Sequence, residues 1–265
     1  FRHYILKNLF SIPKNLQKFH PNWNFDIAWA PFDHACTYQM RHSNGATRYL
    51  KMVRKNAYPS VADELARLRW AKAFLPVPKI IDFDLEADPA WLLSEGIVGM
   101  NGTAPDLKSN PALLVSLLAR ALRHFHDNAP VSDCPFDFRL PTALKHITQR
   151  AQLGLIQPEK HFHPEFQHLQ LEGAQSFLKE QQPSSTKEVV CHGDYCVPNI
   201  LFDNNRLQGF VDLGELGVAD VWWDLAVATW SLNWNLGNGW EELFLKEYGV
   251  SNDHHKKIYY TDNFT

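Results

Sequence analysis

At 265 residues, 45% hydrophobic and 21% charged, the chain is long enough to bury a sizeable core and has the balance of a soluble globular protein. A formal net charge of −3 gives no basic excess for nucleic acid, and no apolar run approaches the ~20 residues that span a bilayer, so neither nucleic acid nor membrane is an expected partner. Four scattered cysteines, Cys36, Cys134, Cys191 and Cys196, make neither a disulfide framework nor a paired thiol metal site; with no signal-peptide pattern after Phe1, a reduced, cytoplasmic protein is expected.

Asn24 to Trp29 reads as a strand, and Thr37 to Met40 and Thr47 to Val53 flank an Asn44-Gly45 turn signal. Alternation puts Tyr49, Lys51 and Val53 on one face of the last run, an aromatic ring beside an ammonium, as adenine and its phosphates require. Ser60-Val61-Ala62-Asp63 opens a helix to about Phe74, with Glu64 in its first turns. Lys79 to Phe83 and Trp91 to Glu95 are two further strands, and Gly96, Gly99 and Gly102 mark the passage to a helical remainder. From the cap at Asn110 a helix carries Leu114, Leu117, Leu118, Ala121, Leu122 and Phe125. Residues 131–188 follow with polar helical stretches. The histidine pairs His124/His126, His161/His163 and His254/His255 lack the spacing that aligns two rings, so surface or cap positions are expected.

Val189 to Leu213 concentrates the chemistry. His192, Asp194, Asn199 and Asp212 fall in one strand, loop and hairpin unit, an acid and amide inventory suited to phosphoryl transfer. Ile200-Leu201-Phe202 and Leu207 to Val211 flank an Asp203-Asn204-Asn205 turn, a hairpin that returns Asp212 to the loop. Beyond it, Asp220 and Asp224 are spaced to share a helical face, with a structural role in holding the loop. Trp223, Val227, Trp230 and Trp234 recur at helical intervals; core packing is the expectation, a sugar-stacking wall the alternative.

The five-residue interval from Asp194 to Asn199 is that of the protein-kinase H-R-D-x-x-x-x-N loop. With His192-Gly193-Asp194, Pro198-Asn199, Gly209-Phe210-Val211-Asp212-Leu213-Gly214, Leu216 to Asp220 and Asp224-Leu225-Ala226, the chain resembles the aminoglycoside phosphotransferase family, above all its 3′-phosphotransferase (kanamycin kinase) branch. Tyr49 to Met52, Glu64 and Leu75 to Lys79 extend the resemblance through the amino-terminal part.

The resemblance implies a bilobal, protein-kinase-like α+β fold, with a nucleotide-binding lobe over residues 1–97 and a mainly helical lobe over 98–265. It implies ATP, or GTP, with Mg²⁺ and a small-molecule acceptor. Asp194 would be the catalytic base, and Asn199 and Asp212 the metal ligands. Lys51, held by Glu64, would contact the phosphates, Tyr49 would stack on the base, and the Ser94 to Gly96 backbone would meet its edge. Glu215, Asp262, Trp230 and Trp234 are the candidate acceptor contacts.

The departures concern phosphate and amine recognition. Asp33 stands where relatives carry small residues in the phosphate loop. Gln157 to Glu165 is less acidic than the family's drug-binding insert, Glu215 replaces an arginine, and Asn263 replaces a terminal acid. A macrolide, choline-like or sugar-amine acceptor therefore stays open, as does a nucleotide-binding regulatory module; monomer and dimer fit equally. A peptide kinase is disfavoured, because no Ala-Pro-Glu segment follows Asp212 and Gly193 removes the arginine that would answer an activation-loop phosphate.

Overall fold

The structure is a computed structural model that describes residues 10–32, 34–152, 154, 156, 167–184 and 186–261. A short helix, α1 (Lys14–Phe19), precedes strands β1 (Trp23–Phe32), β2 (Ala35–His42) and β3 (Thr47–Val53). Helix α2 (Val61–Ala71) and strands β4 (Ile80–Asp84) and β5 (Ala90–Glu95) complete an antiparallel sheet of order β1-β2-β3-β5-β4.

Alternation sorts this sheet into two buried faces. Cys36, Tyr38, Met40, Leu50, Met52, Trp91 and Leu93 pack beneath Phe10 and Leu16, while Ala35, Val53, Ala90 and Leu92 join the main core with the α2 residues Val61, Leu65, Leu68 and Ala71. Lys51 projects from that second side, toward the rest of the molecule. The Ser60 side chain accepts from the Asp63 N–H while the Asp63 carboxylate accepts from the Ser60 N–H, a reciprocal cap that fixes where α2 starts. The helix stops at Ala71 rather than near Phe74: the Phe74 and Leu75 amides both turn back to the Ala71 carbonyl, and Pro76 follows.

Past residue 97 the chain is mainly helical. Strand β6 (Met100–Asn101) and α3 (Pro105–Lys108) lead into α4 (Pro111–Asn128), capped by the Asn110 side chain; α5 (Leu140–Gln152) and α6 (Gln170–Glu180) follow. Strand β7 (Glu188–Cys191) leads to the segment carrying Asp194 and Asn199, and β8 (Ile200–Asp203) and β9 (Arg206–Phe210) form the hairpin. Asn204 and Asn205 have φ of 48° and 59°, the left-handed pair of a tight two-residue hairpin turn. Strand β10 (Gly217–Asp220) pairs with β7, and α7 (Trp222–Leu236), α8 (Glu241–Tyr248) and α9 (His254–Thr261) close the fold.

Three expectations are corrected here. Asp220 ends β10 and caps α7 by accepting from the Trp222 N–H at 2.8 Å, so it shares no helical face with Asp224. His126 is not on the surface: it is buried and donates Nε2–H to Asp224 Oδ2 at 3.0 Å. Trp223 and Val227 are core residues, but Trp230 and Trp234 are 40% and 70% exposed and stack on each other, ring centroids 6.0 Å apart and planes 19° from parallel. No helix of the described residues is long and apolar enough to cross a membrane, and all four cysteines are free.

Phe125 of α4 packs edge-on against Phe210 at 4.9 Å and beside His192 at 5.6 Å, directly under the segment carrying Asp194 and Asn199. Phe125→Ala is expected to cost about 3–5 kcal/mol in urea unfolding, the range for emptying a large buried aromatic site. A loss below about 1 kcal/mol would show that this core does not support the loop.

Candidate active site

Four segments build the site: β3, α2, the loop between β7 and β8, and the residues after β9. Lys51 Nζ lies 2.5 Å from Glu64 Oε2 and 2.6 Å from Asp212 Oδ1, so one ammonium joins β3, α2 and the end of the hairpin. Burial works against its charge, yet Asp212 and Glu64 outweigh that cost and hold the Lys51 pKa well above its usual value. Burial pushes the Glu64 carboxyl up, with Lys51 pulling it down. For Asp212 the burial cost is overcome by Lys51, and the carboxyl sits below its usual range.

Helix α2 is placed by contacts that reach across the molecule. Arg67 Nε donates to the Leu216 carbonyl at 2.7 Å, and Gly214 packs so closely that a Cβ there would lie 2.8 Å from the Pro59 ring. Glu64 and the Asp212-Leu213-Gly214 turn are thereby held in register. Asp212 itself has φ of 62°, a left-handed conformation uncommon for a residue with a side chain, which turns its carboxylate back toward Lys51.

The loop that carries Asp194 is secured from beneath. Asp224 Oδ2 accepts from the His192 N–H at 2.6 Å and Oδ1 from the Gly193 N–H at 3.0 Å, while Trp223 Nε1 donates to the Gly193 carbonyl at 2.9 Å. Gly193 has φ of 90°, and a Cβ on it would come within 2.5 Å of the Glu215 carbonyl oxygen, so no larger residue fits. His192 Nε2 donates to the Val211 carbonyl at 3.1 Å, leaving Nδ1 to accept from the Asp194 N–H at 3.3 Å. That imidazole ties the loop to the strand that delivers Asp212.

Asp194 is the acid those bonds present. Asn199 Nδ2 donates to its Oδ2 and to its main-chain carbonyl, both at 3.0 Å, and Cys196 Sγ–H donates to Oδ1 at 2.8 Å. Burial, then the Asp212 charge, push the Asp194 carboxyl up, with Cys196, His192 and Asn199 pulling down. Glu215 is pushed up to about 7 by burial, with Arg150 opposing and the charges of Asp194 and Asp212 adding. Lys51, Glu64, Asp194, Asn199, Asp212 and Glu215 therefore occupy one locus.

Other expected residues stand at its margins. Tyr49 pairs across from Ser94 in the β3–β5 register, and its hydroxyl accepts from Gln39 Nε2 at 3.1 Å. At the hinge, the Glu95 N–H donates to the Lys79 carbonyl at 2.8 Å and the Gly96 N–H to the Thr47 carbonyl at 2.9 Å, so two of the amides expected to meet a base edge are already engaged. Asp33, residues 157–165, and Asp262 with Asn263 lie outside the described residues.

The sequence reading missed several participants. Arg67 was signalled only by its position one helical turn after Asp63, to which its Nη1 is paired at 3.3 Å. Tyr58, His146 and Arg150 gave no signal; the Tyr58 and His146 rings meet at 4.0 Å, and Tyr58 and Arg150 lie within electrostatic reach of Glu215. His126, Cys191 and Asp224 bring their donor atoms within 4.8 Å of one another, but His126 and Asp224 are hydrogen-bonded together and Cys191 Sγ donates to the Asp220 carbonyl.

Comparison with known proteins places the chain in a family. The profile of the phosphotransferase enzyme family matches residues 32–258. An aminoglycoside 3'-phosphotransferase of Niallia circulans is 31% identical over 229 residues, covering 84% of this chain and 84% of that one. The crystal structure of an aminoglycoside-3'-phosphotransferase of type VIII superposes with a TM-score of 0.83 at 25% identity, over 95% of this chain and 97% of the other. A Streptomyces rimosus aminoglycoside phosphotransferase, solved with ADP and streptomycin, shares the fold at a TM-score of 0.74 and 24% identity, over 93% and 94% of the two chains. The architecture is accordingly the kinase-like α+β fold of these enzymes. With a lysine bridging two carboxylates opposite an aspartate and asparagine on one loop, and a family match spanning most of its length, the chain belongs to the phosphotransferase enzyme family.

Proposed function

We propose that this protein transfers the γ-phosphoryl group of ATP to a hydroxyl of an aminoglycoside. The reading is carried by one observation: Lys51 is clamped by Glu64 and Asp212 in the same cleft as Asp194 and Asn199. Residues 1–97 act as the nucleotide lobe and 98–265 as the acceptor lobe. Phosphoryl transfer needs little covalent participation from the protein, so positioning and charge carry most of the rate.

In this mechanism Lys51 contacts the α- and β-phosphates while Glu64 keeps its side chain extended. Tyr49 flanks the base, whose edge faces the Ser94 to Gly96 backbone at the end of β5, where the Glu95 and Gly96 amides already donate within the protein. The acceptor oxygen forms a bond to the γ-phosphorus as the bridging oxygen leaves with ADP, and the acceptor proton passes to Asp194. A carboxyl with a raised pKa is the better base near neutral pH.

The donor set fits Mg²⁺. Asn199 and Asp212 offer hard oxygen atoms; Glu64 and Asp212 flank Lys51, and Asp194 and Glu215 lie within electrostatic reach of Asp212, a surplus of negative charge that a divalent cation relieves. Asn199 and Asp212 would hold the ion, which would neutralise charge on the phosphate oxygens. GTP would meet the same phosphate contacts.

Lys51, Glu64, Asp194, Asn199 and Asp212 come together in one site, which weighs against a regulatory module. Asp194→Ala is expected to lower kcat by a factor of about 10² to 10⁴, the usual share of a general base, while the Mg-ADP thermal shift stays intact. ADP release measured on kanamycin, streptomycin and macrolide acceptors gives the test; near-full turnover without Asp194 would overturn the assignment.

Acceptor binding rests on Glu215 and the exposed tryptophans. Ser231 of α7 accepts from the Val197 N–H of the catalytic loop at 2.9 Å, which places Trp230 and Trp234 on the neighbouring helix surface. An exposed stacked pair of tryptophans suits the face of a sugar ring, and the Glu215 carboxylate suits an ammonium on it. The same two tryptophans favour a macrolide-like acceptor as the second reading, because they present exposed apolar surface.

Glu215 loses its charge as pH falls through about 7. The KM for a cationic acceptor should therefore rise from pH 8 to pH 6, and Glu215→Gln should flatten that rise. Trp234→Ala should raise acceptor KM about 3- to 10-fold with the ATP KM unchanged. A pH trend that survives Glu215→Gln, or a loss confined to ATP, would contradict these contacts.

A further inference from the structure

A carboxylate that accepts a proton must be held in one orientation, yet it must not be neutralised by the group that holds it. Asp194 meets both demands through uncharged donors. Asn199 Nδ2 takes Oδ2 at 3.0 Å, and the thiol of Cys196 takes Oδ1 at 2.8 Å. A single donor on one oxygen would leave the carboxylate free to pivot about that bond. The second donor, on the other oxygen, fixes its plane.

Cys196 is itself anchored at both ends. Its backbone N–H donates to the Asp194 carbonyl at 2.8 Å, and its carbonyl accepts from the Asn199 N–H at 2.9 Å. The next residue, Val197, donates its N–H to Ser231 Oγ at 2.9 Å, and Asn235 Nδ2 donates to the Ser231 carbonyl at 2.9 Å. A strut thus runs from Asn235 and Ser231 of α7 through the loop backbone to the thiol that touches Asp194. Cys196 is half-buried, its sulfur in contact with the acid and within reach of Ser231 on the helix that supports the loop.

We propose that Cys196 is a positioning residue for phosphoryl transfer: its thiol locks the Asp194 carboxylate toward the acceptor hydroxyl through Oδ1, while Asn199 serves Oδ2 and the cation side.

The chemistry of sulfur suits that task. A lysine or arginine at this position would hold the carboxylate more tightly, but it would depress the pKa and make Asp194 a poorer base. A thiol is a neutral donor, so it orients the oxygen without placing a cation beside the acid; its pull on the Asp194 carboxyl is outweighed by burial and the Asp212 charge. Burial and the Asp194 charge both push the Cys196 pKa up, which keeps the proton on sulfur where it can be donated.

The inference rests on the reading of Asp194 as base, and the test separates the two. Cys196→Val keeps the bulk and removes the donor, Cys196→Ser keeps a donor and removes bulk, and Cys196→Ala removes both; Asp194→Ala is the reference. Each is assayed for kcat and KM with Mg-ATP and the best acceptor, and for its Mg-ADP thermal shift. Cys196→Val and Cys196→Ala are expected to lose about 10-fold in kcat and Cys196→Ser less than about 2-fold, the scale of one hydrogen bond to a charged group, with ATP KM and thermal shift unchanged throughout. The proposal is overturned if Cys196→Val keeps full kcat, if Cys196→Ser falls as far as Cys196→Val, or if the loss is in ATP KM. Should Asp194→Ala keep turnover, the base assignment itself fails; should it be inactive while Cys196→Val is not, only the role of the thiol fails.

Discussion

One ammonium bridging two carboxylates organises this molecule. Lys51 reaches Glu64 at 2.5 Å and Asp212 at 2.6 Å, and the second of these partners is 161 residues away along the chain. A lysine drawn out of water is costly unless its charge is answered. Here the answer comes from two elements with no sequence proximity, so the strand, the helix and the hairpin end must all be correctly placed before the charge is satisfied. That requirement couples folding of the sheet to folding of the catalytic segment. It also leaves a surplus of carboxylates, so that a cation and phosphates entering the cleft meet groups already set against one another.

The surrounding contacts keep this arrangement in register. Arg67 fastens α2 to the Leu216 carbonyl, Asp224 gathers the His192 and Gly193 amides, and His192 joins the loop to Val211 just before Asp212. These supports sit on buried elements, away from the reacting atoms. The buried supports at the base, Asp224 and His192, use hydrogen bonds to backbone groups, which fix geometry without adding mobile charge. The thiol on Asp194 extends the same economy to the acid itself.

The catalytic loop and hairpin were legible in the sequence because the chemistry is local there. Asp194 and Asn199 are separated by a short loop, and the Asn204-Asn205 pair announces a turn that returns Asp212. The Ser60 to Asp63 cap and the alternation around Lys51 were readable for the same reason. Contacts set only by tertiary packing were not. Periodicity assigned Trp230 and Trp234 to the core, yet a helix that packs on one side exposes whatever lies on the other. His126 looked like a surface residue because its partners, Asp224 and Tyr248, come from distant helices. Asp220 looked helical because spacing alone does not reveal that β10 ends before α7 begins. Cys196 was noticed only as a failed zinc ligand, since nothing in its spacing tells that its sulfur faces the Asp194 carboxylate.

Under the proposed function, Asp212 together with Asn199 would hold Mg²⁺ beside the nucleotide, while Lys51 would contact its phosphates. Calorimetric titration of ADP with and without Mg²⁺ tests it most directly, using the intact protein, Asp212→Asn and Lys51→Met. The account predicts that Mg²⁺ tightens ADP binding in the intact protein, that Asp212→Asn removes most of that gain, and that Lys51→Met weakens ADP whether or not Mg²⁺ is present. An Asp212→Asn variant that keeps the full Mg²⁺ gain would contradict it.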